Sequence, residues 1–349
     1  MRRSDHDVTN TIRTTDLQQV GAEVLRLYRA LYEGTPSGVG GTPSGVGGAP
    51  LEAIERAFED LGRLYAGEHP EYQPCDTEYH DIQHVLDVTL AMARLMDGYE
   101  RSRGVTRSRV GVTRSRVGDS PALPAPCFAL GVVIALFHDF GYLRKRGDRR
   151  HRYGAEYTMT HVTRGSKHLH AYLPRIGLKR YASAGATLVH YTGYERRAES
   201  IPLNNTLLRR VGHMLGTADI IAQMSDRCYL EKCRDRLYPE FVLGGLATRL
   251  DANGVEQVMF ASADDLVMKT PIFYQGTKKR LEETMGGAYR YAERYFGGQN
   301  LYLEELEKNI RFAEHIAADG NLLRLQRSPP LTPGSDIAPT AQSLLSARN

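Results

Sequence analysis

The sequence predicts an all-α protein, a helical bundle with additional flanking helices. Apolar residues recur at helical spacing through most of the chain, and no neighbouring runs alternate in the way paired strands would. With 41% hydrophobic residues in 349, the chain is long and apolar enough to bury a substantial core.

The first stripe is Leu17, Val20, Val24, Leu27, Tyr28 and Leu31, predicting a helix over 15–32. Leu51, Ile54, Phe58, Leu61 and Tyr65 form the second, over 51–66, ending before Gly67. Further helices are expected at about 77–97, 126–143, 154–173, 179–192, 205–224, 226–243, 275–296 and 300–319. The run "GVVIALF" has the composition of a buried strand, but it lacks a partner strand pattern and is read as a buried helix.

Two segments are duplicated literally: "GTPSGVG" at 34–40 and 41–47, and "GVTRSRV" at 104–110 and 111–117. Neither unit carries apolar a and d positions, which excludes a coiled coil and leaves surface linkers. The arginine repeat could otherwise serve as a docking arm for phosphate or anionic lipid. The expected organisation is N-terminal helices over 1–67 with a linker at 34–50, a catalytic core over 68–245 with an Arg-rich insert at 101–118, a helical extension over 246–326, and a disordered Pro- and Ser-rich tail over 327–349.

The net charge of +4 is local in origin. Residues 101–118 hold six arginines and no acid, and removing those six leaves −2, so a general nucleic-acid surface is not indicated. Four cysteines without a CxxC pair exclude a cysteine zinc site and a disulfide framework. The N-terminus has no apolar segment behind its arginines, and the longest apolar run, Cys127–Phe137, is too short to span a bilayer. A cytoplasmic protein without membrane association is expected. The helices at 15–32, 51–66 and 275–319 could complete the core or make an oligomer, and periodicity does not separate the two.

Three motifs carry candidate chemistry. In "YHDIQHVLDV" a helix would place His80, His84 and Asp87 on one face. "ALFHDFGY" sets His138 and Asp139 directly after an apolar run, where an ionised carboxylate is costly unless paired or bound to metal. "GTADIIAQMSDR" puts Asp219 within an apolar helix pattern. A core hydrogen bond would account for each alone. Together, two imidazoles and two carboxylates from three helices suit one or two divalent metal ions, Mn, Fe, Mg or Zn, with open positions.

"YHDIQHVLDV" resembles the YHNxxHAxDV signature of the cyclic-nucleotide phosphodiesterases, matching at Tyr79, His80, His84, Asp87 and Val88 and departing at Asp81 and Val85. With "FHDFGY" and "TADI", residues 79–245 resemble the HD-domain metal-dependent phosphohydrolase superfamily. The resemblance implies an HD-domain-like helical bundle, His84, His138, Asp139 and Asp219 as metal ligands, and His80 as general acid. Asp139 is the natural bridge between two ions, and Asp87 would orient a neighbouring histidine.

Departures from the pattern also matter. Tyr142 stands where the family often has a further histidine, which makes His151 and His190 the candidates for a second metal. Leu243, Gly244 and Gly245 offer no purine-reading glutamine, and Arg144 and Lys145 in "RKRGDRRHR" could hold substrate phosphate. His161, His168 and His170 lack a motif context. The resemblance implies a metal-dependent phosphoric ester hydrolase acting on a small phosphoester or nucleotide, most readily a phosphodiester. A di-iron oxygenase and a non-catalytic metal-binding regulatory module are the alternatives.

Overall fold

A computed structural model describes residues 2–33, 48–105, 121–250 and 253–331. Both copies of the Gly/Pro repeat, most of the arginine repeat and the tail beyond residue 331 lie outside these residues.

The fold is all-α. Its helices are α1 (Leu17–Tyr32), α2 (Gly48–Tyr65), α3 (Ile82–Val105), α4 (Ala125–Phe137), α5 (His161–Tyr172) and α6 (Ala182–Leu188). They continue with α7 (Thr206–Ser225), α8 (Tyr229–Lys232), α9 (Tyr238–Leu243), α10 (Ala263–Lys279), α11 (Arg290–Tyr295) and α12 (Leu301–Asp319). Among the described residues the only strands form a short antiparallel hairpin, β1 (Thr248–Leu250) with β2 (Glu256–Val258), in register Thr248 to Val258.

Side-chain caps set several boundaries. Asp16 accepts the amides of Gln18 and Gln19 to start α1, Asn205 that of Leu208 for α7, and Asn300 that of Leu303 for α12. Ser262 does the same for Asp265, with Asp264 and Asp265 in the first turn of α10. Sequence periodicity misses the first part of this helix, expecting one over 275–296. The chain is helical from 263, passes through a π-helical turn at Arg280–Thr284, and is interrupted by Gly286 and Gly287 at positive φ.

The "GVVIALF" run is helical as expected, within α4, whose residues Cys127–Phe137 are all buried. The most apolar stretch, Ala125–Tyr142, has mean hydropathy 1.5 over 18 residues, and 89% of it is buried inside the protein. Helix α3 packs against α1, α4, α7 and α11, and α2 covers α4. One apolar cluster runs from Val20 to Leu325, so the flanking helices complete the core. Asn309 on α12 donates to the carbonyls of Met224 and Asp226, tying the extension to the end of α7. The described start of the tail is also held, with Arg236 donating to the Pro330 carbonyl at 2.7 Å and the Arg327 amide to Glu231 at 3.2 Å.

Candidate metal centre

Helix α3 begins five residues later than the sequence predicts. Asp81 is the reason: its Oδ1 accepts the His84 amide at 2.9 Å and its carbonyl accepts the Val85 amide at 3.2 Å, an N-cap that starts the helix at Ile82. Asp81 Oδ2 also pairs with Arg236 at 3.3 Å. His84 therefore sits in the first turn of α3. His80 lies in the approach segment, not on the helix face where the spacing would put it.

Helix α4 ends at Phe137 and delivers His138 and Asp139 at its C-terminal end. The next turn, Phe140–Tyr142, is tight, and a side chain at Gly141 would collide with the His161 backbone at the start of α5. Asp219 comes from within α7. These three elements bring the predicted ligands together. The donor atoms of His84, His138 and Asp139 lie within 4.8 Å of one another, and all three residues are buried. Asp219 Oδ1 stands 3.5 Å from His84 Nε2 and 3.9 Å from His138 Nε2, with its side chain 14% exposed.

The orientation of these groups is informative. His138 Nδ1 contacts the Ala135 carbonyl at 2.8 Å, a contact that requires the proton on Nδ1 and turns Nε2 inward. Asp139 Oδ2 is 3.1 Å from His138 Nε2 and 3.3 Å from His84 Nε2, yet it is buried and among the described residues makes no hydrogen bond. A buried carboxylate oxygen without a donor is costly unless a cation faces it. The donor set, two nitrogens and carboxylate oxygens converging on one point, fits a divalent metal ion, and the buried His84–His138–Asp139 group could hold one.

Electrostatics agree with this reading. Burial alone would raise the Asp139 carboxyl, but His138, His80 and His84 hold it well below the usual carboxylate range. Burial disfavours a charge on His138, while Asp139 and Asp219 outweigh it and lift His138 to about 9, so a proton on His138 and a metal ion would compete for the same carboxylates. The pocket therefore attracts positive charge.

Beside this group is a second constellation. His80 Nδ1 meets Glu240 Oε2 at 2.5 Å, and Glu240 Oε1 accepts the Tyr79 amide at 2.7 Å. Burial opposes protonation of His80, but Glu240, followed by Asp139, raises it to about 9. Tyr142, at the position where the resemblance leads one to expect a histidine, lays its ring against His80 and against His161, each with centroids 4.4 Å apart. On α7, Gln223 donates to Asp219 Oδ1 at 3.3 Å and accepts the Tyr79 hydroxyl at 3.0 Å, fixing the carboxylate from the side.

Three of these residues escape sequence reading. Glu240 is an acid in the otherwise apolar turn "YPEFVL", the same signal that marks Asp219. Gln223 lies one turn beyond Asp219 on the same helix. His161 has no spacing signal at all. Its Nε2 reaches 3.8 Å from Asp139 Oδ1 and its Nδ1 contacts the Thr158 carbonyl at 2.6 Å, the same backbone device that orients His138. Burial, despite Asp139, lowers the basicity of His161, keeping its ring in the neutral, ligating form.

Other expected site residues have partners of their own. Asp87, expected to orient a neighbouring histidine, instead lies among Thr14, Asp226 and Lys232. It lines a cavity of about 10 Å³ with Asp7, Gln83 and Asp226. Burial, then the Asp226 carboxylate, push its carboxyl well above the usual range. His151 pairs with Asp148 at 3.7 Å and packs on the Tyr157 ring, and His190 Nδ1 meets Glu195 Oε1 at 2.6 Å. Arg144, expected to hold phosphate, donates Nε to Asp76 at 2.9 Å and Nη2 to Gln73 at 2.8 Å. Lys145 is exposed and pairs its backbone with Tyr72.

Comparison with protein-family models, with curated proteins and with solved structures finds no match to the chain. What the centre does must follow from its own chemistry.

Proposed function

We propose that the chain is a metal-dependent phosphohydrolase of the HD-domain type, hydrolysing a phosphodiester of a small molecule or nucleotide. The observation that carries this reading is the buried, undonated Asp139 Oδ2 facing two Nε2 atoms, with an acid–histidine pair at its side. His84, His138, Asp139 and Asp219 would hold the cation, which supplies Lewis acidity for a phosphoryl oxygen and lowers the pKa of water toward about 7.

The chain's own part is the proton. Glu240 keeps the His80 imidazole protonated at neutral pH, and its Nδ1 contact with Glu240 leaves Nε2–H as the proton donor to the departing oxygen. Tyr142 fixes the ring plane, and Tyr79 joins the two halves of the site by donating its amide to Glu240 and its hydroxyl to Gln223.

Metal analysis of the purified chain, followed by phosphomonoester and phosphodiester substrates with Mn, Mg, Zn or Fe, tests the reading. Phosphate ester cleavage that depends on added metal is expected. His80→Ala should retain metal and lose about 100- to 10,000-fold in turnover. A protein that takes up no divalent ion from excess would refute the proposal.

One observation favours a second reading. His161 adds a nitrogen near the other oxygen of Asp139, and a di-iron oxygenase would use the same ligands. Oxygen uptake by iron-loaded protein without phosphate release would select it.

A further inference from the structure

Helix α10 carries apolar side chains on two sides, and the core uses one. Leu266 and Val267 are buried with Thr270 and Thr277, and the helix packs against α12. On the opposite side Asp264, Met268, Ile272, Gln275 and Lys279 recur at helical spacing, which puts them on one line along the outside of the helix. Ile272 is 75% exposed and Met268 36%. An acid in the first turn and a lysine in the last serve the helix dipole, but the dipole gives no reason for two large apolar side chains in water between them. The apolar surface continues sideways. Lys269 donates Nζ to the Met259 carbonyl at 2.9 Å, fixing the β1–β2 hairpin beside the helix, and Val258 and Met259 are exposed as well.

The line is its own complement. Reversed about Ile272 it reads Lys279, Gln275, Ile272, Met268, Asp264, so that acid meets base at both ends and Ile272 meets itself. Two copies of α10 lying antiparallel across a two-fold axis therefore pair Asp264 with the partner's Lys279 and Lys279 with the partner's Asp264, and they cover Met268 and Ile272 between them. Run parallel, the same faces set acid against acid and lysine against lysine. A side chain added at Gly276 would meet nothing within 4 Å, so the partner's Met268 has room beside Gln275. Within its own chain Lys279 reaches only Glu283, at 3.8 Å and with both side chains widely exposed, a weak pair that leaves the lysine free to swing to a partner.

We infer that this outer face of α10, with the adjoining hairpin, is the surface on which a second copy of the chain docks, antiparallel across a two-fold axis. Apolar side chains at the middle exclude water, and opposite charges at the two ends fix the direction and register of the pairing. The dimer stands or falls independently of the chemistry of the metal centre.

Sedimentation velocity of the full chain over a wide range of concentration is the test, and it should show a monomer–dimer equilibrium. Ile272→Asp, at an exposed position on which the fold does not depend, should raise the dimer dissociation constant at least about tenfold, because the substitution enters a symmetric interface twice. Asp264→Lys and Lys279→Asp should each weaken the dimer by setting like charges together at both ends, and the double variant carrying both should restore it. Circular dichroism of each variant should match that of the unaltered protein. A chain that stays monomeric at every concentration overturns the inference, and so does a dimer indifferent to Ile272→Asp. Charge reversals whose effects add in the double variant instead of cancelling overturn the antiparallel pairing. A monomer that dimerises only once residues 332–349 are removed gives the face to the chain's own tail and overturns the inference too.

Discussion

Two buried clusters of charge lie along α3 and α7, and they solve the same problem in opposite ways. In the first, Asp7 accepts Arg94 at 2.6 Å, the amides of Thr11 and Ile12 at 3.0 Å, and the Thr9 hydroxyl. Asp226 accepts Lys232 at 2.6 Å and the Cys228 amide at 2.7 Å. Gln83 takes a further Lys232 proton at 2.9 Å, and Tyr302 accepts from Arg94 at 3.0 Å. These carboxylates carry their own cations. In the second cluster, Asp139 and Asp219 face imidazoles, and among the described residues no lysine or arginine pairs with them and Asp139 Oδ2 makes no hydrogen bond. A buried acid supplied with a covalently tethered cation is structural, whereas one supplied only with neutral-capable nitrogens is completed from outside.

The contrast can be broken most severely at Asp139. Asp139→Asn should lower metal affinity by more than about 100-fold, beyond what loss of an outer partner costs, and abolish turnover. Metal content after dialysis is the readout. Retained metal would equate the two clusters. Arg94→Met should do the reverse, leaving Asp7 buried without its cation: a loss of about 3–5 kcal/mol in urea unfolding at unchanged metal content. Chelation should remove about 2.7 kcal/mol from protein held at 100 times its metal dissociation constant, and should remove nothing from Asp139→Asn.

The His80–Glu240 pair gives a pH test. His80 is raised from 6.5 to about 9, so its proton is in place below that value and is lost as the pH rises through about 9. Activity should therefore fall on the alkaline side. Glu240→Gln should move that limb down towards 6.5, and a limb that stays put would remove His80 from the reaction. The smallest effect sets the baseline. Asp16→Ala removes a helix cap and should cost about 1 kcal/mol with metal binding and turnover untouched.

Much of the site is legible along the chain because chemistry stands out against its local background. Asp139 and Asp219 are acids inside apolar helical patterns, and the structure brings both beside His84 and His138. The helix at 77–97 is legible only in part, since Asp81 acts as an N-cap and moves His80 off the helix. Glu240 carries the same acid-among-apolar signal, but its partner lies 160 residues away. Arg144 and Lys145 look like phosphate ligands in a basic loop. Asp76 and Gln73, more than sixty residues upstream, claim the first.

By itself the sequence determined the all-α class, the buried α4 and the set of side chains able to bind a cation, because helical periodicity and the cost of a buried charge are local properties. Tertiary structure alone decided that His161 joins Asp139 and that Asp87 turns to a different cluster. Each of these depends on the packing of helices distant in sequence, and a rotation of one residue along a helix swings a side chain by about 100°.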